Sequence, residues 1–361
     1  MPDPFDLSRL RLAAQAAPSI LNTQPWLFRP VAGTFIQLLA DPGPDPDDPK
    51  GRDRYLEATD RRAREMIISC GAALLNLLLA IRVTGHEPVI DVVGGQDITD
   101  LVRGRKKKPV LLATVDIGIN RHREATIEER NLYEAIQQRH TIREPFQPPR
   151  LPMNLVTQLE EAGRMGPVNA RLLHPWETRR FVSWAAEVNV QLRMNSGYVA
   201  ELKEWTGRNA VGGFGVPTGA FGPLPEDEDH SAIRDLGLAW RVLGERRRAR
   251  FEEKNARLIV LTTESDTTAD WMYAGQGLQK LLLTATHFGV QASFMTQPFE
   301  DLDRQPKKRL DTLWPWPRPW HIVIRLGSTP ERHDTPHANL KFQDMRTPQT
   351  PSIRGGLPRD S

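Results

Sequence analysis

The sequence predicts an α+β protein of two tandem lobes on a similar plan, with an irregular insertion in the second. Three observations point there: one apolar helix pattern occurs twice, strand-like stretches follow each copy, and the chain is too long for one core. Single cores stop growing near roughly 250 to 300 residues, and this chain has 361. The lobes are expected at residues 1–120 and 121–361, with the insertion at about 195–230.

In the first lobe, residues 7–17 read as a helix that leads through Asn22-Thr23-Gln24-Pro25-Trp26 to a strand at 35–40. Residues 66–83 form the longest apolar run, interrupted by Ser69, Asn76 and Arg82. Those polar residues favour a buried helix over a membrane span. Strands follow at 88–93 and 110–117, then a helix at 125–140 with Ile127, Leu132, Ala135 and Ile136 on one side. The second lobe reads as helices at 151–163 and 181–194 around a strand at 170–174. A strand at 256–262, the second apolar helix and strands at 291–296 and 320–325 complete it.

Gly71-Ala72-Ala73-Leu74-Leu75-Asn76-Leu77-Leu78-Leu79 and the residues through Gly85 lie without gaps on Gly275-Gln276-Gly277-Leu278-Gln279-Lys280-Leu281-Leu282-Leu283 and the residues through Gly289. Both start with small residues that let another backbone approach, and both stop at a glycine suited to a left-handed cap. Helices apolar all round are buried. Two readings are open: a duplication that fused a symmetric dimer, its helices crossing at a pseudo-twofold axis, or two unrelated buried helices.

The insertion contains Trp205, Gly207, Gly212-Gly213-Phe214-Gly215-Val216-Pro217 and the acidic run Glu226-Asp227-Glu228-Asp229. Loops this long inside a domain are lids, binding loops or disordered segments, and a lid is the reading preferred here. Its glycines do not make a dinucleotide site, because no strand precedes them and no helix opens directly after them.

Composition sets aside several function classes. With 48 basic and 45 acidic residues the net charge is +3, too small to argue for nucleic acid. The run Arg103-Gly104-Arg105-Lys106-Lys107-Lys108 lacks interleaved aromatics and reads as a solvated loop rather than a site for an anionic partner. Cys70 is the sole cysteine, set among apolar residues, so it reads as a core residue and rules out an internal disulfide. His86-Glu87 lacks the second histidine of a zinc helix, and no metal site is expected. The polar, proline-punctuated start lacks a signal-peptide pattern, and the expected location is cytoplasmic.

Two motifs carry the chemistry. Asn22-Thr23-Gln24-Pro25-Trp26 behind Ala17-Pro18-Ser19, and Arg139-His140-Thr141-x-Arg143 followed by Phe146, resemble the nitroreductase superfamily when taken with the repeated helix. More narrowly the chain is similar to the Acg-type branch, in which two nitroreductase units are fused and hold one FMN between them. The resemblance covers residues 7 to about 341. It implies that each lobe is a mainly antiparallel sheet flanked by helices, and that the insertion forms a lid.

By the same resemblance, Arg139 and Thr141, helped by His140, hold the FMN phosphate, and Arg143 reaches the N1 and O2 edge of the ring. Guanidinium groups suit both, since each target gathers negative charge. Ser19 and Asn22 would contact the ribityl chain or ring edge, while Gln24, Pro25 and Trp26 shape the wall. Thr296, Gln297 and Pro298 occupy the place where relatives offer a backbone amide to flavin N5, although many of them have an acidic residue and glycine there. His337 would stand where relatives carry a basic pair that closes the phosphate site.

The first lobe has no Arg-x-Thr/Ser-x-Arg motif, and the second replaces the Asn-Gln-Pro-Trp turn with Gly163-Arg164-Met165-Gly166-Pro167. One complete site, one FMN per chain and a sufficient monomer are therefore expected, which leaves a homodimer open. The leading function is an oxidoreductase that passes a hydride through flavin N5 from NAD(P)H to a small nitro, quinone or enone acceptor, with no protein nucleophile. The alternatives are a flavin storage or sensing protein with little turnover, and a noncatalytic interaction protein.

Overall fold

The computed structural model describes residues 7–31, 33–44, 47–93, 107–228, 230–243, 246–300 and 319–329. Helix α1 (Leu7–Gln15) buries Leu10, Ala13 and Ala14 and is followed by a hairpin of β1 (Trp26–Val31) and β2 (Phe35–Ala40). Helix α2 (Arg64–Arg82) comes next, then β3 (Val89–Val92), β4 (Val110–Asp116) and helix α3 (Ile127–Gln138). The Thr126 hydroxyl and the Glu129 carboxylate form a reciprocal cap that fixes where α3 starts.

The chain continues through α4 (Met153–Gly163), β5 (Asn169–Leu172), α5 (Pro175–Met194) and α6 (Ser196–Trp205). Short strands β6 (Leu224–Pro225) and β7 (Arg248–Ala249) pair with each other. Then come β8 (Arg257–Thr262), α7 (Thr268–His287), β9 (Gln291–Phe294), the single turn α8 (Gln297–Glu300) and β10 (Trp320–Gly327).

Two four-stranded antiparallel sheets result, ordered β1-β2-β4-β3 and β5-β8-β10-β9. In chain order both read first, second, fourth, third. In both, the long buried helix joins the second strand to the third, and the helix before the first strand packs on it: α1 on α2, α4 on α7. The same supersecondary unit is thus present twice.

Helices α2 and α7 cross where Gly71 meets Gly275. A Cβ on Gly71 would lie 3.0 Å from the Gly275 Cα, and one on Gly275 would lie 2.8 Å from the Gly71 Cα, besides striking carbonyl oxygens of the other helix. The gap-free sequence match pairs the same two glycines, so each touches its own counterpart, as residues at a twofold axis do. Gln279 donates to the Asn76 side chain at 2.7 Å beside this crossing, and Asn76 donates to the Ala13 carbonyl at 2.9 Å. These bonds offset the cost of burying the two amide nitrogens. Helix α2 is long and apolar enough to cross a membrane, but 94% of its apolar window is buried in this fold. Cys70 is buried on it, and burial pushes its thiol pKa up.

Three of the differences from expectation have a plain physical cause. Strand β1 was not foreseen because Arg29 and Pro30 break the strand pattern, yet β1 lies at a sheet edge, where proline costs no ladder bond. Helix α5 starts at Pro175, six residues earlier than read, since proline suits a first helical position. The insertion opens with helix α6, whose buried Tyr198, Leu202 and Trp205 make one face, and the Asn195 side chain caps it by accepting from the Tyr198 N–H.

Candidate functional site

Helix α3 ends with the Arg139 N–H bonded to the Ala135 carbonyl, after which the chain straightens and runs beside β9. The Ile142 N–H bonds the Ala292 carbonyl at 2.8 Å, and Thr141 bridges to Ala292. This anchoring sets Arg139, His140, Thr141 and Arg143 along the wall of one cavity. Pro18, Ser19, Ile20, Leu21 and Asn22 line the same cavity, although more than 100 residues of chain separate the two motifs. Both sequence motifs therefore face one space.

The N-terminal turn is strained. Leu21, Asn22 and Gln24 all have positive φ, at 43°, 57° and 51°. A left-handed non-glycine residue costs on the order of 1 kcal/mol or more, and such strain persists only where neighbours over-determine it. Here the Ser19 hydroxyl accepts from the Gln24 N–H at 3.0 Å, and the Asn22 amide donates to the carbonyls of Gly213 and Gly215 at 2.9 and 3.0 Å. Gln24 donates to Gly213 as well, at 2.9 Å, and the Gly215 N–H returns a bond to the Asn22 carbonyl. The turn is thereby stitched to the insertion. Arg52 ties the 48–52 segment to the insertion as well: paired with Asp48 at 2.8 Å, it donates to the Glu204 and Asn209 carbonyls and lies 4.1 Å over the Trp205 ring.

The insertion and the stretch just after it supply another wall. Gly215, Val216, Pro217, Ala220, Ile233, Arg234 and Leu236 line the cavity, and Arg143 donates to the Ala220 carbonyl at 2.9 Å. Gly222, at φ 71°, presses against this arginine; a Cβ there would sit 2.7 Å from the Arg143 Cβ.

Positive charge accumulates in the cavity. Arg139 is 7% exposed, and its Nε and Nη1 are buried with no hydrogen-bond partner. Burial holds its pKa down at about 10. Burial likewise brings Arg143 down to about 10, with the charges of Arg234 and Arg139 adding to the effect. Arg234 is better compensated: burial opposes its charge, but the ion pair with Glu300 outweighs that and raises its pKa. Arg234 also donates to the Thr296 hydroxyl at 2.9 Å. A buried guanidinium with two idle donors calls for an anion.

Of the residues read from sequence, Ser19, Asn22, Arg139, His140, Thr141, Arg143 and Thr296 line the cavity. Gln24, Pro25, Trp26, Gln297 and Pro298 are not among its lining residues. Gln24 is tied to the insertion, the Pro25 carbonyl accepts from the Asp41 N–H, Trp26 is buried at the head of β1, and Gln297 donates to Asn189 and the Ala232 carbonyl. His337 lies outside the described residues. Sequence reasoning missed Arg234, Glu65, Ser69 and Ser293, which share the lining. Glu65 and Ser69 had a usable signal, polar residues at i, i+4 on an otherwise apolar helix; Arg234, in an irregular stretch, had none.

No family model matches the chain. An uncharacterized protein of Mycobacterium tuberculosis strain H37Rv is 30% identical over 296 residues, covering 81% of this chain and 78% of the relative. A protein of the same strain with the provisional name NAD(P)H nitroreductase acg is 26% identical over 333 residues, covering 92% and 91%. Among solved structures, the FMN-dependent nitroreductase NfnB from Mycobacterium smegmatis in complex with NADPH overlaps 58% of this chain and 91% of its own at 14% identity and a TM-score of 0.34, too loose to place any residue. Relatedness along nearly the full chain, joined to the two motifs meeting in one cavity, shows that the chain belongs to the nitroreductase superfamily.

Proposed function

We propose that the protein is an FMN-dependent oxidoreductase that carries reducing equivalents from NAD(P)H to a small organic acceptor of nitro, quinone or enone type. The observation that carries this reading is Arg139, with two donors buried and unpartnered in a cavity shared with Asn22 and Arg143. Bound FMN would supply hydride chemistry at its N5. The chain's part is to hold it: Arg139, His140 and Thr141 toward the phosphate, Arg143 as a fixed cation toward the pyrimidine edge, Ser19 and Asn22 from the other side. A fixed cation there favours the anionic reduced form over the neutral oxidised one, so Arg143 would raise the reduction potential.

The repeated unit, crossing at Gly71 and Gly275, supports two fused lobes at residues 1–120 and 121–361 with one flavin at their seam. In this reading the insertion is the lid, and the stitching of Gly213 and Gly215 to Asn22 and Gln24 holds it over the cavity. That stitching also favours a second reading, in which the covered flavin is stored or sensed with little turnover.

An absorption spectrum of protein incubated with FMN and desalted is expected to show bound flavin. NAD(P)H should bleach it and a nitroaromatic panel should restore it. Bleaching without restoration would select the storage reading, and a colourless protein would remove both.

A further inference from the structure

Among the described residues that line the cavity, beside the guanidinium groups, one carries a carboxyl group: Glu65, in the first turn of α2. The residue is partly exposed, but its Oε1 is buried and has no hydrogen-bond partner. The nearby cation is already committed, because Arg234 is ion-paired with Glu300 and bonded to Thr296. The α2 N-terminus is committed too: the Asp60 carboxylate accepts from the N–H groups of Glu65 and Met66 at 3.1 and 2.8 Å. An idle, buried carboxyl oxygen on a residue that lines a ligand-sized space is an expensive arrangement unless the group is protonated or a ligand uses it.

Resting on the flavin reading above, we propose that Glu65 meets the acceptor compound, its carboxyl group hydrogen-bonding an oxygen of a neutral ligand held in the cavity. The donor is the protonated carboxyl. Burial, then the negative charges of Glu300 and Asp60, raise the Glu65 pKa well above the usual range, against the weaker pull of Arg234 and Arg64. Tyr198 is the other titratable group within electrostatic reach of Glu65, and Arg139, His140 and Arg143 share the cavity with it. A neutral acid keeps one O–H to give, so it can hydrogen-bond the oxygen of an uncharged acceptor, which an ionised carboxylate would only repel.

The test uses the full chain loaded with FMN, oxidised and without NAD(P)H, so that nitrobenzene binds without reacting. Its Kd is read from the shift of the flavin spectrum. Glu65→Ala is expected to weaken nitrobenzene about tenfold, the worth of one hydrogen bond, while retention of FMN is unchanged. Wild-type affinity should fall as pH rises through the Glu65 pKa, and Glu65→Gln, whose amide always donates, should bind without that dependence. The infrared band of a protonated carboxyl should disappear in Glu65→Gln. A wild type that binds no FMN overturns the flavin reading and this assignment with it. A flavin-loaded Glu65→Ala that binds nitrobenzene as tightly as wild type overturns the assignment alone.

Discussion

Gly71 and Gly275 face each other across the α2 and α7 crossing so closely that neither has room for a methyl group. Overpacking a core commonly costs about 1 to 3 kcal/mol, and more where backbone is struck. Gly275→Ala is therefore expected to lower stability by about 3 kcal/mol or more, read as a shift of the urea midpoint. An unchanged midpoint would show that the helices part easily.

Arg139 gives a prediction with two opposite signs. Its guanidinium is buried, uncompensated and idle in the flavin-free chain, so Arg139→Met should stabilise that form by on the order of 1 kcal/mol or more. The same change should weaken FMN retention at least tenfold. Calorimetry with and without FMN reads both effects, and a loss of stability in the flavin-free form would assign Arg139 a structural role instead.

Arg143→Ala should weaken FMN retention and lower the reduction potential of whatever flavin stays bound, measured by dye-coupled titration. Equal values for both in variant and wild type would remove Arg143 from the ring edge.

Asn22→Ala removes the side-chain bonds to the Gly213 and Gly215 carbonyls, of which Gly213 keeps its bond from Gln24, and puts alanine at a positive φ. A loss of about 1 to 3 kcal/mol follows from two lost hydrogen bonds and added strain. Limited proteolysis should cut the insertion sooner; an identical digestion pattern would mean that the remaining ties, Gln24 to Gly213 and Arg52 to Glu204 and Asn209 among them, suffice to hold it.

His321 is buried on β10, with Nε2 2.6 Å from the Thr263 hydroxyl. Burial first, and then the Arg64 charge, lower its pKa to about 4 against the attraction of Asp266 and Asp270. Between about pH 6.5 and 4 the unfolded chain binds a proton there that the folded chain does not, so the fold loses stability as pH falls through that window. The loss should be on the order of 2 to 3 kcal/mol. His321→Gln should flatten that part of the stability curve, and an equally steep curve would refute the assignment.

Much of this was legible in the sequence because the informative signals were local or repeated. The leucine-rich helices with small residues at their starts named their own contact, and Arg139-His140-Thr141-x-Arg143 lies on one extended stretch. Less legible was whatever depends on distant partners. Asn22 reads as a ligand contact and Gln24 as pocket wall, and the sequence gives no sign that both amides donate to carbonyls 189 to 193 residues away. Arg234 reaches the cavity from an irregular segment, where no periodicity tells which way a side chain turns. Strand β1 was hidden by a proline that only its edge position makes harmless.

Carrying the repeated unit on one polypeptide also changes what heredity can do with it. In a pair of identical subunits every substitution arrives in two places at once, and a contact on the symmetry axis must suit itself. Here a change in the first copy leaves the second untouched. That freedom is visible between β5 and β8, where the second copy holds two helices and a long excursion while the first turns straight from β1 to β2.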